Sequence, residues 1–173
     1  FNTPAGGYLL SPALLAQLCE IPNVRGIKAA GSDQDRTAVR RACGARVVVS
    51  DPMESHWLEN LTQHRQTLLF ADPEPYLYQR AGQRPIADYY EQFENGDLEG
   101  CRLTHAALAP LREIYDRWIM APMRDFGRPP SAALKVWAAA MGLAAGPTRA
   151  PVRGLDSVER AALLDDLARV GLA

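Results

Sequence analysis

Lys28 closes a short apolar run, Asn23-Val24-Arg25-Gly26-Ile27-Lys28, in a chain that has only two lysines against seventeen arginines. The run reads as a buried strand, where an ammonium is costly to desolvate, so this side chain is paired, snorkelling or held neutral. Desolvation depresses the ordinary lysine pKa of about 10.4 and leaves a nucleophilic amine near neutral pH, the form that condenses with a carbonyl group. A structural lysine at a strand end is the plain alternative. Asp51, Glu54 and Glu74 follow two further strand-like runs, at the carboxyl ends where parallel sheets gather ligand-binding groups. Asp51 equally reads as a helix N-cap.

The other reactive residue types carry less. His56, beside Trp57 on an expected helix, reads as a surface or core residue rather than a ligand. His64 and His105 have no metal spacing with any cysteine, so no metal site is expected. Cys19, Cys43 and Cys101 are odd in number and widely spaced, which argues against a disulfide framework and favours the cytoplasm. Tyr76, Tyr78, Tyr89 and Tyr90 could form a stacking surface, although such residues more commonly pack a helical subdomain. With 173 residues, 47% apolar, and a net charge of -1, the chain has material for a globular core and no bias towards nucleic acid or anionic membrane. The arginines are spread along helices, a solvated face rather than a nucleic-acid patch. No run reaches the roughly 20 apolar residues of a membrane span. Phe1-Asn2-Thr3-Pro4 enters without a preceding element, as a cut through a larger protein would.

The elements that must position these residues alternate. Ser11-Pro12 is an N-cap with proline at the first helical position, and Leu14, Leu15 and Leu18 recur at helical spacing until Ile21-Pro22. A strand over 24–28 follows. Ser32, with Asp35 three residues on, opens a helix through Cys43 that Gly44 closes, and a second strand spans 46–50. Asp51-Pro52 starts a helix with Met53, Trp57, Leu58 and Leu61 on one face, and a third strand spans 67–71. This alternation predicts a parallel α/β sheet with right-handed crossovers. Beyond it only helical periodicity remains, over 85–95, 97 to about 120, 130–141 and 157–170, with loops at 80–84 and 146–154. The expected organisation is therefore an α/β part over 1–82 and a helical part over 83–173.

These residues together resemble the C-terminal half of the dihydrodipicolinate synthase / N-acetylneuraminate lyase superfamily. Phe1-Asn2-Thr3-Pro4 resembles the family's Y-N-x-P at the end of the fifth barrel strand. Ile21-Pro22-Asn23-Val24-Arg25-Gly26-Ile27-Lys28 resembles its I-P-N-x-x-G-I-K, whose lysine forms the Schiff base. Residues 143–151, Leu-Ala-Ala-Gly-Pro-Thr-Arg-Ala-Pro, resemble its C-terminal helical region, as does the ending over 165–172. The resemblance implies the C-terminal part of a (β/α)8 TIM barrel, from the end of strand 5 to strand 8, followed by a helical C-terminal subdomain. It implies a Schiff-base-forming lyase or aldolase acting on pyruvate or a related 2-keto acid, with no cofactor and a homodimeric or homotetrameric assembly. It also implies that the Thr-Thr pair that holds the keto-acid carboxylate lies in the half not present here.

Three departures bear on that expectation. Phe1 stands where the family has tyrosine, so the hydroxyl that relays protons is lost. Ala5-Gly6-Gly7-Tyr8 lacks the arginine with which dihydrodipicolinate synthases hold their second substrate, which counts against that reaction. Ser50-Asp51-Pro52-Met53-Glu54 and Ala71-Asp72-Pro73-Glu74-Pro75 replace glycine-rich strand ends, and make Asp51, Glu54 and Glu74 candidates for substrate binding. The alternative is a non-catalytic or fragmentary homologue that keeps the fold and oligomer contacts.

Overall fold

Ser11 starts the first helix as its chemistry requires. Its Oγ accepts from the Leu14 amide at 3.2 Å, Pro12 fits the first turn, and α1 runs Pro12–Leu18. A computed structural model describes residues 1–4, 7–69 and 72–172, and the segment Ala5-Gly6 lies outside them. Strand β1 (Gly26–Lys28) follows, then α2 (Asp33–Cys43), which opens on a full capping box: Ser32 Oγ accepts from Asp35 N, and Asp35 Oδ2 accepts from Ser32 N. Strand β2 (Val48–Ser50) pairs parallel with β1, Ile27 opposite Val49 and Lys28 opposite Ser50. Ile27 and Val49 join Leu15, Cys19, Val39, Cys43 and Val47 in the core beneath α1 and α2. Side chains alternate across a sheet, so Lys28 and Ser50 are directed to the other face.

Two single parallel bridges extend the sheet, Asn2 with Ala29 and Met53 with Asp72. The expected third strand over 67–71 does not form over 67–69, and Phe70 and Ala71 lie outside the described residues. The cause is visible in the side chains. Gln66 Nε2 and Ser50 Oγ each donate to the Leu68 carbonyl at 3.0 Å, and Gln66 Oε1 accepts the Asp51 amide at 2.8 Å. Side chains thus satisfy backbone groups that a ladder would otherwise pair. Pairing resumes where Asp72 N donates to Pro52 O at 2.7 Å and Glu54 N to Asp72 O at 3.1 Å. The helix expected after Asp51-Pro52 begins as a 3-10 turn, Glu54–His56, and becomes α3 (Trp57–His64).

The chain divides into two compact units, residues 1–72 and 73–173, and the expected boundary at residue 82 falls inside the second. That second unit carries a 3-10 turn, Pro75–Leu77, and helices α4 (Pro85–Glu94), α5 (Leu98–Ala107), α6 (Ala109–Tyr115), α7 (Ala121–Phe126), α8 (Ser131–Ala140) and α9 (Ser157–Arg169). The single helix expected from 97 to about 120 is broken at Leu108, because Pro110 cannot sit in a helix interior and instead lies in the first turn of α6. A π-helical turn, Asp116–Met120, carries α6 on into α7. Tyr78 stacks on Trp137 with centroids 6.3 Å apart, Tyr115 meets both rings edge-on, and Trp137 Nε1 donates to Leu77 O at 2.9 Å. Tyr78 and Tyr89 are therefore core residues of this unit, not a stacking surface. Among the described residues no helix is long and apolar enough to cross a membrane.

Candidate functional site

Lys28 ends β1, and its backbone is held from both sides. Its carbonyl accepts from Asn2 N at 2.8 Å, and the next amide, Ala29 N, donates to Ser50 O at 2.8 Å. Asn2 is itself buried, with Oδ1 accepting from Leu10 N at 2.9 Å, so the segment before α1 is pinned to the same strand end. The Lys28 side chain is half-buried, and its Nζ lies 4.7 Å from the centroid of the Phe1 ring. That is cation–π geometry, and it puts Phe1, 76% exposed, beside the amine. A phenyl ring there neither donates nor accepts a proton. Tyr8, an alternative hydroxyl, is exposed.

Asp51 begins where β2 ends, yet it is only 1% exposed and its carboxylate is fully engaged. Oδ2 accepts from Arg36 Nε at 2.9 Å, His56 Nδ1 at 3.0 Å and Asn60 Nδ2 at 3.2 Å, and Oδ1 accepts from Met53 N at 3.0 Å. Three donors crowd Oδ2 and one engages Oδ1, and burial rather than a filled lone-pair set keeps the carboxylate from a substrate. The bond to Met53 N closes an Asx turn two residues on, in place of the helix cap the sequence suggests. Burial alone pushes the Asp51 carboxyl up, but donation from His56, Met53 and Asn60 and the Arg36 charge outweigh it and hold it below the ordinary carboxylate range. Around this hub Arg40 donates to Asn60 Oδ1 at 2.7 Å and to Gln66 Oε1 at 3.1 Å, while Arg36, buried, also reaches Gly31 O and Asp33.

His56 opens to solvent, with 40% of its side chain exposed. Donation from Nδ1 to Asp51 fixes the tautomer and turns Nε2 outward as a base. The bond to Asp51 raises the His56 pKa above its ordinary 6.5, against partial burial. Sequence reasoning passed over this pair, along with Arg36, Asn60 and Gln66. The available signal was Asp51 and His56 five residues apart across a proline turn, a spacing no periodic pattern flags.

Glu54 is 0% exposed in the 3-10 turn, its amide tied to Asp72. Glu74 belongs to the second unit, where its backbone caps the Pro75–Leu77 turn with no side-chain cap bond. The structure thus joins Lys28 with Phe1, and Asp51 with His56, at the carboxyl ends of two neighbouring parallel strands. Among the described residues no group of three or more His, Cys, Asp and Glu could hold a metal ion. Lys135, the other lysine, is not free in water as a surface helix position suggests. It is half-buried on α8 and donates to the Ala145 carbonyl.

The first unit is a parallel α/β arrangement with a lysine at a strand's carboxyl end, and comparison with known proteins returns chains of similar fold. Two uncharacterised DapA-like lyases from strains of Halobacterium salinarum are each 34% identical over 87 residues, 50% of this chain and 25% of each relative. Among solved structures, KD(P)GA from T. tenax superimposes with a TM-score of 0.71 at 22% identity, over 98% of this chain and 54% of that one. A prophage protein of the dihydrodipicolinic acid synthase family from E. coli, in complex with pyruvate, gives a TM-score of 0.68 at 19% identity over 99% and 55%. No protein-family model matches the chain. In fold and in sequence the chain resembles the dihydrodipicolinate synthase / N-acetylneuraminate lyase superfamily, and it spans about half the length of the solved structures it matches.

Proposed function

We propose that this chain supplies the nucleophilic half of a Schiff-base lyase or aldolase whose substrate is pyruvate or a related 2-keto acid. The observation that carries the reading is Lys28 at the carboxyl end of β1, its backbone fixed by both neighbouring segments and its amine beside Phe1, within the I-P-N-x-x-G-I-K pattern. The E. coli neighbour's complex with pyruvate supports the substrate class. In the proposed step the unprotonated Nζ adds to the ketone carbon, water leaves, and the protonated imine accepts the electron pair of a breaking C–C bond, or of a C–H bond whose enamine then expels an oxygen leaving group that departs with its own bonding pair. The substrate carboxylate would be held by the family's first half-barrel, and the helical second unit would correspond to the family's C-terminal region, with contacts for a homodimer or homotetramer. Asp51, buried and held by four donors, would orient His56 rather than bind substrate.

Borohydride reduction in the presence of pyruvate tests this on the chain completed with the family's first half-barrel. The substrate becomes attached to Lys28, Lys135 stays unmodified, and Lys28→Arg abolishes the adduct because a guanidinium stays protonated. An adduct on Lys135, or none at all in a well-folded complex, favours the second reading, a non-catalytic homologue. The missing hydroxyl at Phe1 is the observation that recommends that second reading.

A further inference from the structure

A cleft of 700 Å³ opens at the amino ends of β1 and β2, the end of the sheet opposite Lys28. Three turns converge on it: Arg25 just before β1, residues 44–47 between α2 and β2, and residues 63–67 at the end of α3. Arg25 and β2 are tied directly, since Val48 N donates to the Arg25 carbonyl at 3.1 Å. Four guanidinium groups, those of Arg25, Arg40, Arg46 and Arg65, line the cleft together with His64, and its lining includes no carboxylate. Arg46 pairs with Glu20 at 3.1 Å on the open rim, and Arg40, hydrogen-bonded to Asn60 and Gln66, lies in the field of the Asp51 carboxylate. Arg25 and Arg65 have no ion pair among the described residues.

Arg65 adds an independent observation. It sits at the C-cap of α3 with φ 51°, the left-handed conformation that glycine adopts without steric cost. It is the only non-glycine residue with positive φ among the described residues. An outlier of this kind runs from geometry to a hypothesis of function: the position keeps a long cationic side chain where the backbone favours none.

We propose that this cleft binds a compact anion carrying two or more negative charges on phosphate or carboxylate oxygens, as a site separate from Lys28. Guanidinium forks pair with such oxygens in bidentate fashion, and the two guanidiniums without an acid partner, Arg25 and Arg65, call for more than one charge. The cleft lies on the face away from the strand ends that carry Lys28, so its occupant is an effector rather than a substrate. The proposal does not depend on the Schiff-base reading.

Calorimetric titration of the 173-residue chain at low salt tests it with pyrophosphate, citrate and acetate. Saturable one-to-one binding of pyrophosphate, citrate or both is expected, at least about tenfold tighter than acetate and weakened by added salt. Pyrophosphate alone identifies a phosphate ligand, citrate alone a polycarboxylate, and both the shared oxyanion chemistry. Arg65→Gly suits the left-handed backbone, so it holds or raises the melting temperature while weakening binding by about tenfold or more. Arg25→Gln, at an exposed position, gives a second reading on a folded chain. Absence of binding by both polyanions, or affinity unchanged in both variants, overturns the proposal.

Discussion

At the scale of single residues, the centre of the first unit is Asp51, and its charge is coupled to that of His56. The bond between them raises the His56 pKa above 6.5, so its stabilisation is complete below pH 6.5 and is lost as pH rises through the raised folded value. The Asp51 carboxyl is held below its ordinary 3.8, so its contribution is present above that value and is lost as pH falls through the depressed one. Stability from the pair therefore peaks between those limits. Urea midpoints measured from about pH 6 to 8 should decline in the wild-type chain and decline less in His56→Gln; equal slopes would remove the coupling. Asp51→Ala, which leaves Arg36 buried without its partner, should cost about 3–5 kcal/mol by the same measurement. Phe1 makes a second residue-scale prediction. Restoring the hydroxyl with Phe1→Tyr in the completed protein should raise turnover of a keto acid, up to the order of 10² to 10⁴ that general acid–base catalysis supplies. An unchanged rate would show that another group carries the proton. Lys28 was legible in the sequence because a rare residue type ended an apolar run. The Asp51–His56 pair was not, because it is made by a turn whose geometry no side-chain period encodes.

At the scale of elements, local chemistry decided which segments formed as the pattern predicts. Ser11 and Ser32 start α1 and α2 through their own side chains, and those two helices match their expected starts because a cap is a local signal. The third strand was not legible, because Gln66 is an ordinary polar residue in sequence and a backbone substitute in structure. Its amide bonds to Asp51 N at 2.8 Å, Asp51 O at 2.9 Å and Leu68 O at 3.0 Å, and so replaces the ladder between β2 and residues 66–68. Gln66→Leu keeps the volume but strands those buried groups, at about 1–3 kcal/mol for each left unsatisfied. A loss of about 2–4 kcal/mol in urea unfolding, with faster exchange of the Asp51 amide, is the expected outcome. A loss under about 0.5 kcal/mol would mean that residues 66–68 find ladder partners without it. The helix expected from 97 to about 120 makes the same point from the other side. Pro110 was in plain view, but apolar periodicity continued through it and hid the break at Leu108.

At the scale of the whole molecule, the sheet of the first unit is a run of parallel segments in the order Asn2, β1, β2, with one further bridge from Met53 to Asp72. Such a run is stable in a closed barrel, where each segment has a neighbour on both sides, and carries unpaired backbone groups at its edges otherwise. Phe1, Val48 and Leu68 are exposed apolar residues of this unit and add to the same liability. Tyr89, Leu108, Ile114 and Tyr115 are buried within the second unit, so these apolar side chains are not free for contacts between copies. Edges of this kind have most to gain from a partner segment, and the solved neighbours are about twice the length that this chain covers. A first-half chain from a family member, added to this one, should form a one-to-one complex by sedimentation and raise the melting temperature by several degrees, about 2–4 °C for each kcal/mol gained at this size. Pyruvate with borohydride should then label Lys28 in the complex and give little adduct on the 173-residue chain alone, because nothing there positions the ketone within reach of the amine. Equal labelling with and without the added half would show that Lys28 reacts without a barrel around it, and failure to form the complex would show that these edges are covered in another way.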